Sequence, residues 1–234
     1  MRVEIWSDVV CPWCYIADAR FEKALTDFSH RDQVEVVYRS FELDPGHDGT
    51  HVEPVPSFLQ RRFGPQGPAM DEQVAGRARR EGLDYRTDRK VGSTLDAHRL
   101  LHWAKTQGRQ RQLVDLLFET NFAKAQSIFT RDALAELAGR AGLDSEQARR
   151  VLDDSDAFLG AVRTDERAAG DLGAQGVPFF VFDGRDTLSG AQPVSAFRGA
   201  LEAAWQEHVA DDLAEGAVCT PDEACAVPSH SQES

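Results

Sequence analysis

Two cysteines, in Cys11-Pro12-Trp13-Cys14, stand where a strand-like run gives way to a helix-like one, and this placement restricts the fold more than any other feature of the chain. Before them Val3-Glu4-Ile5-Trp6 is short, apolar and partly alternating, and Ser7-Asp8-Val9-Val10 forms a connector. After them Ile16, Ala17, Phe21, Ala24, Leu25 and Phe28 recur at helical spacing. A C-x-x-C that closes a strand and opens a helix reads as a dithiol redox motif. Unpaired N–H groups at a helix start favour negative charge, so the first thiol ionises more easily there. Cys11 is therefore the expected nucleophile, and Cys14, one turn further in, the resolving thiol. Two other readings compete: half of a zinc site, which needs a second pair at matching spacing, or an incidental disulfide or buried pair. Proline and tryptophan between the cysteines, and the strand before them, favour redox chemistry.

At 234 residues the chain suits one large domain or one domain carrying an insertion. A 41% hydrophobic share supports a substantial core, and 26 Lys plus Arg against 39 Asp plus Glu give a formal charge of −13. That acidity argues against nucleic acid or anionic membrane as partners. No apolar run approaches a membrane span. The first residues, Met1-Arg2-Val3-Glu4-Ile5-Trp6-Ser7-Asp8, lack the apolar core of an export signal, so a cytoplasmic location is expected. Dithiols there are mostly reduced and disulfides transient, and four cysteines do not make a disulfide scaffold.

Further along, Gln33-Val34-Glu35-Val36-Val37-Tyr38-Arg39 predicts a second strand, parallel to the first through a βαβ unit. Residues 54–152 show no convincing strand, only helical patterns over 56–63, 70–82, 94–108, 110–125, 130–142 and 144–152. A helix over 155–172 leads to Gly176-Val177-Pro178, then a buried strand Phe179-Phe180-Val181-Phe182, an Asp183-Gly184 turn and a return strand from Asp186. A last helix covers 193–209. The domain reading is a discontinuous α/β unit, 1–50 plus 155–210, with an all-helical insertion over 51–154. An acidic, flexible tail over 211–234 carries Cys219 and Cys225.

This order resembles the thioredoxin-like fold with a large all-helical insertion, as in the DsbA family of thiol–disulfide oxidoreductases, and most closely its cytoplasmic FrnE-like branch. The resemblance rests on Ser7-Asp8-Val9-Val10-Cys11-Pro12-Trp13-Cys14-Tyr15-Ile16, Phe41-Glu42-Leu43-Asp44-Pro45, Ala97-His98-Arg99-Leu100-Leu101, Gly176-Val177-Pro178-Phe179-Phe180-Val181-Phe182 and Ser189-Gly190-Ala191-Gln192-Pro193. Ser93 departs from the asparagine common in the family. The resemblance implies a cis Val177–Pro178 bond in a loop facing the two cysteines, where the backbone of Val177 and the ring of Trp13 meet the substrate; a trans proline starting a strand is the plainer alternative. It also implies that Cys219 and Cys225 form an auxiliary pair exchanging disulfides with the first, reached by a mobile tail, against a local disulfide or idle thiols.

The implied activity is disulfide reduction or isomerisation on protein disulfides or thiols, recycled by glutathione or a thioredoxin-type partner. No cofactor and no metal is expected. Asp8 either relays the proton that Cys14 must lose or caps the turn. His98 and His102, at i and i+4, have a spacing that can bind metal, yet no third ligand is evident, so they read as core or interface histidines. The eight Arg and Lys residues from Arg61 to Lys90 read as a solvated helical surface. Two other classes of function stay open. One is a glutathione-dependent isomerase or transferase of the 2-hydroxychromene-2-carboxylate isomerase or kappa-class type, which usually carries serine where Cys11 stands. The other is a holdase-like binding module using the groove around Pro178.

Overall fold

The computed structural model describes residues 1–216. At its centre is a four-stranded sheet in the order β2-β1-β5-β6. β1 (Arg2–Ser7) runs parallel to β2 (Glu35–Ser40), with Val3 opposite Val36 and Ile5 opposite Tyr38. On its other side β1 pairs antiparallel with β5 (Phe179–Phe182), Ile5 opposite Phe180. β5 turns back into β6 (Asp186–Ser189) through Asp183 and Gly184, both left-handed at φ 49° and 72°. That is the backbone an Asp-Gly hairpin turn demands. β5 is buried along its whole length, as a strand covered on both faces must be, and this accounts for its uninterrupted run of Phe and Val.

α1 (Pro12–Thr26) and α9 (Val194–Gly216) cover one face of the sheet. Phe21 of α1 meets Phe197 of α9 edge-on at 5.8 Å and lies 5.6 Å from Phe180 of β5. α8 (Leu159–Asp171) lies by the other face, where the Trp6 indole N–H donates to the Asp165 carbonyl at 2.8 Å. Between β2 and α8 run α2 (Val55–Phe63), α3 (Gly67–Arg80), α4 (Leu95–Thr106), α5 (Gln110–Phe118), α6 (Arg131–Arg140) and α7 (Ser145–Asp153). Thr130 and Asp144 cap α6 and α7 through their side chains, as their positions predict. Gln110 fastens this helical part to the sheet. Its amide accepts from Tyr38 N–H at 3.1 Å and donates to Tyr38 C=O at 2.9 Å, occupying the open edge of β2.

The structure corrects the sequence reading at five places. Residues 54–152 were expected to hold no strand, but β3 (Glu53–Pro54) and β4 (Lys90–Val91) pair antiparallel; two residues are too short to show a period. The pattern over 110–125 breaks at a π-turn, Glu119–Ala123. The helix expected from 155 starts only at Leu159, because the preceding chain wraps the buried Arg99. That guanidinium takes the carbonyls of Val151, Asp154 and Ala157. α9 continues past 209 to Gly216, so the first part of the expected tail is helix. Arg89, assigned to the solvated set, is buried. No helix among the described residues is long and apolar enough to cross a membrane.

Candidate active site

The C-terminal end of β1 leads through Asp8-Val9-Val10 into α1. Cys11 is the residue before the first helical turn and Pro12 fills the first helical position, where a missing N–H costs nothing. The connector is held from three sides. Cys11 N–H donates to Asp8 C=O at 3.0 Å. The Asp8 carboxylate accepts from Leu43 N–H at 2.8 Å and Val10 N–H at 3.4 Å. From the helical insertion, Asn121 in the π-turn donates its side-chain N–H to Val9 C=O at 3.1 Å. Nothing in the spacing of Asn121 marks it as a site residue; a π-turn within a helix is where such residues are commonly found.

The Val177–Pro178 bond is cis, and the Cys11 thiol lies 3.6 Å from the Val177 carbonyl, which faces it across the gap between the two loops. Pro178 C=O accepts from Gly190 N–H at 2.8 Å, fixing the loop to the end of β6. Cys11, Cys14, Val177 and Pro178 are thus brought together from opposite ends of the sequence.

Both cysteines are buried, at 4% and 2% exposure, so what separates them is what each sulfur faces. Cys11 lines a cavity of about 730 Å³ between the sheet end and the insertion; Cys14 does not. Pro12, Trp13 and Val177 form the near wall, and Val55, Phe58 and Val74 are among those of the far wall. Leu43, Phe63 and Met70, three of the most exposed large apolar side chains among the described residues, stand around it. Trp13 carries the Arg77 guanidinium 5.2 Å over its ring, which joins the motif to α3.

Burial pushes the Cys14 thiol well above its ordinary range, and the neighbouring Cys11 adds to the effect. A hydrogen bond to the Ser7 side chain and one to the Asp8 backbone work against it. Asp8 therefore reaches Cys14 through its main chain. Its carboxylate is engaged with Leu43 and Val10 and lies 3.5 Å from the His98 ring. Of the two roles expected for Asp8, tying the turn is the one its hydrogen bonds display.

Beside the cavity Arg89 forms two hydrogen bonds of 2.9 Å to Asp71, and Tyr85 donates to the same carboxylate at 2.6 Å. The guanidinium lies over the rings of Tyr85 and Phe122 at 4.8 and 4.9 Å. Burial raises the Asp71 carboxyl above its usual range against the opposing pull of Arg89. This is why Arg89 is not solvated: its charge is the counterpart of a buried acid. His98 faces Asp8 at 3.5 Å. His102 sits 3.0 Å from Asp165, and among the described residues no three His, Cys, Asp or Glu side chains group as a metal site. Cys219 and Cys225 lie outside the described residues.

Residues 2–202 match the model of the DSBA-like thioredoxin domain. The chain belongs to the DsbA-like thioredoxin domain family. Within that family it is 49% identical to the probable DsbA oxidoreductase of Streptomyces coelicolor over 98% of this chain and 100% of that one, with a TM-score of 0.83. A Bacillus subtilis protein, YwbO, is 25% identical over 65% of this chain and 72% of its own length. The fold is also that of the cytosolic disulfide reductase DsbM of Pseudomonas aeruginosa, 20% identical over 88% and 100% of the two chains, TM-score 0.62. A 2-hydroxychromene-2-carboxylate isomerase shares it as well, 14% identical over 91% and 99%, TM-score 0.64. The DsbA-like chain is a thiol–disulfide oxidoreductase in type.

Proposed function

We propose that this protein reduces or isomerises disulfides of protein substrates in the cytoplasm through Cys11 and Cys14. The observation that carries the reading is the asymmetry of the pair: Cys11 faces a large cavity and the Val177 carbonyl, while Cys14 is enclosed behind it. In the reducing direction the Cys11 thiolate attacks one sulfur of a substrate disulfide, and the other leaves as a thiolate. Cys14 then attacks Cys11 in the mixed disulfide, the Cys11–Cys14 disulfide forms, and the substrate leaves reduced by two electrons. The Val177 main chain, next to a proline with no N–H of its own, pairs with an extended substrate strand across the Cys11 sulfur. Trp13 and the apolar wall take the flanking side chains. Glutathione or a thioredoxin-type protein returns the pair to the dithiol; the Pseudomonas aeruginosa disulfide reductase has been solved with GSH.

The auxiliary role of Cys219 and Cys225, exchanging disulfides with the Cys11–Cys14 pair, is part of the same proposal; disulfide reductase and isomerase rates left unchanged when both are replaced by serine would rule it out.

The runner-up is glutathione-dependent isomerisation or transfer on a small molecule, which the shared fold of the 2-hydroxychromene-2-carboxylate isomerase brings forward. The cysteine at position 11 argues against it. Insulin reduction with a Cys11→Ser control separates the two: activity lost with Cys11 supports the oxidoreductase, and full activity without it would sink the proposal.

A further inference from the structure

Resolution of a mixed disulfide requires the Cys14 thiol to give up a proton; Cys14 does not line the front cavity, and the Asp8 carboxylate that does is engaged with the Leu43 and Val10 N–H groups. Ser7 offers the side chain hydrogen-bonded to Cys14. It also lines a second, much smaller cavity of about 10 Å³, on the order of the space one water needs. The polar residues on its wall are Ser7, Tyr38, Arg39, Ser40, Gln110, His98 and His102; Arg39 is taken by Glu4 and Asp165, and the Tyr38 hydroxyl by Asp18. Most of these groups are committed. The Gln110 amide spans both main-chain groups of Tyr38, at 3.1 and 2.9 Å. His102 Nε2 lies 3.0 Å from Asp165 and 3.2 Å from the Ser40 hydroxyl. His98 is the exception. Its ring is 2% exposed and Nε2 has no hydrogen-bond partner among the described residues; the carboxylate it faces, Asp8, is 3.5 Å away.

We propose that the Ser7 hydroxyl and one water in this cavity carry the Cys14 proton to His98, which holds it during the resolving step. The inference rests on the Cys11–Cys14 exchange proposed above. As the Cys14 Sγ–Cys11 Sγ bond forms, the bond from Cys11 to the substrate sulfur breaks and its electron pair leaves on the substrate thiolate. The Cys14 proton passes to Ser7 Oγ while the Ser7 proton passes to the water, and the water delivers one to the imidazole. Two electrons move from the dithiol to the substrate and no other reactant enters. Ser7 touches the reacting sulfur and is the catalytic group; His98 acts through it.

The surroundings of His98 suit a temporary proton. Asp8 faces it from the loop before α1, Glu42 from the chain after β2 and Glu166 from α8. Arg163 of α8 bridges Glu42 and Glu166 at 2.6 and 2.7 Å. Burial alone lowers the imidazole's proton affinity, but Asp8 and then the two glutamates outweigh it, so the net direction is upward from 6.5. A neutral His98 is needed to accept, so resolution quickens as pH rises through that raised value and then levels off.

The test uses the reduced full-length protein with Cys219 and Cys225 replaced by serine, so that Cys11 and Cys14 alone react with 5,5′-dithiobis(2-nitrobenzoate). Attack by Cys11 releases one coloured thiolate, and resolution by Cys14 releases the second in a separate phase. In Ser7→Ala and His98→Gln the first phase stays within about twofold of the parent. The second slows by about 10²-fold, the lower end of what a positioned proton-transfer group contributes. Ser7→Thr, which keeps the hydroxyl, restores the second phase, and His98→Gln removes its pH inflection. A second phase in Ser7→Ala at the parent rate across pH 5.5–9 would overturn the inference, as would Ser7→Thr proving as slow as Ser7→Ala. If His98→Gln does not fold, the Ser7 pair decides alone. Loss of the first phase in the parent would instead remove the exchange reading itself, so the two failures are distinct.

Discussion

Cys11 and Cys14 are separated by one helical turn, yet one opens through the Val177 loop onto a cavity of about 730 Å³, while the other is enclosed and looks toward Ser7 and a cavity of about 10 Å³. Their exposures, 4% and 2%, do not tell them apart. Fractional burial averages over a residue, whereas chemistry depends on what lies along one bond. The front is walled by α2 and α3, with Arg77 on the Trp13 ring and Asn121 on the connector; the back is built by β1, β2, α4 and α5. A dithiol site needs this division, because one sulfur must meet a stranger and the other must wait for it.

Substituting the two sulfurs separately probes the division most strongly. Cys11→Ser should bring disulfide exchange down to the uncatalysed level, while Cys14→Ser should still attack but accumulate the mixed disulfide, seen as a stable adduct by mass spectrometry. Equal loss without adduct in both would erase the contrast. Next in size is Arg89→Met at the front wall. It leaves the buried Asp71 without its counter-charge, at a cost of about 3–5 kcal/mol, read as a fall in Tm of about 6–20 °C. The Cys14 phase of the thiol-release assay should not change in the protein that remains folded.

A smaller effect sharpens the back. The folded protein holds the Cys14 thiol protonated above the ordinary value of 9.0, while the unfolded chain releases that proton at the ordinary value. Its contribution is complete below pH 9 and is lost as pH rises further, by about 1.4 kcal/mol per pH unit for a single group. Chemical denaturation of the reduced protein should show this slope and Cys14→Ser should lack it; identical slopes would mean that Cys14 is not desolvated. The mildest test is the potential. Pro12 and Trp13 place no positive charge beside Cys11, so a glutathione titration should fall between roughly −270 and −120 mV.

Much of this was legible in the residues because local patterns carried it. The strand before Cys11, the Phe179–Phe182 strand and its Asp-Gly turn, and the capped helices at Thr130 and Asp144 each follow from a period or a cap. The cis bond at Pro178 came from family resemblance, since no local rule distinguishes it from a trans proline. What stayed hidden depended on long-range pairing. Asn121 reaching Val9, Arg89 meeting Asp71 and Arg99 gathering three carbonyls have no periodicity to announce them. Arg89 sat in a stretch whose composition reads as surface, because a charge is recognised as internal only when its partner is seen. Ser7 likewise looks like a connector until its hydroxyl is found beside Cys14.

The division between the two sulfurs is tested most directly by timed alkylation of the reduced native protein with iodoacetamide at pH 7.5, followed by peptide mass mapping. The account predicts that label accumulates on Cys11 while Cys14 stays unmodified until the protein is denatured. Label arriving on Cys14 as early as on Cys11 would contradict it.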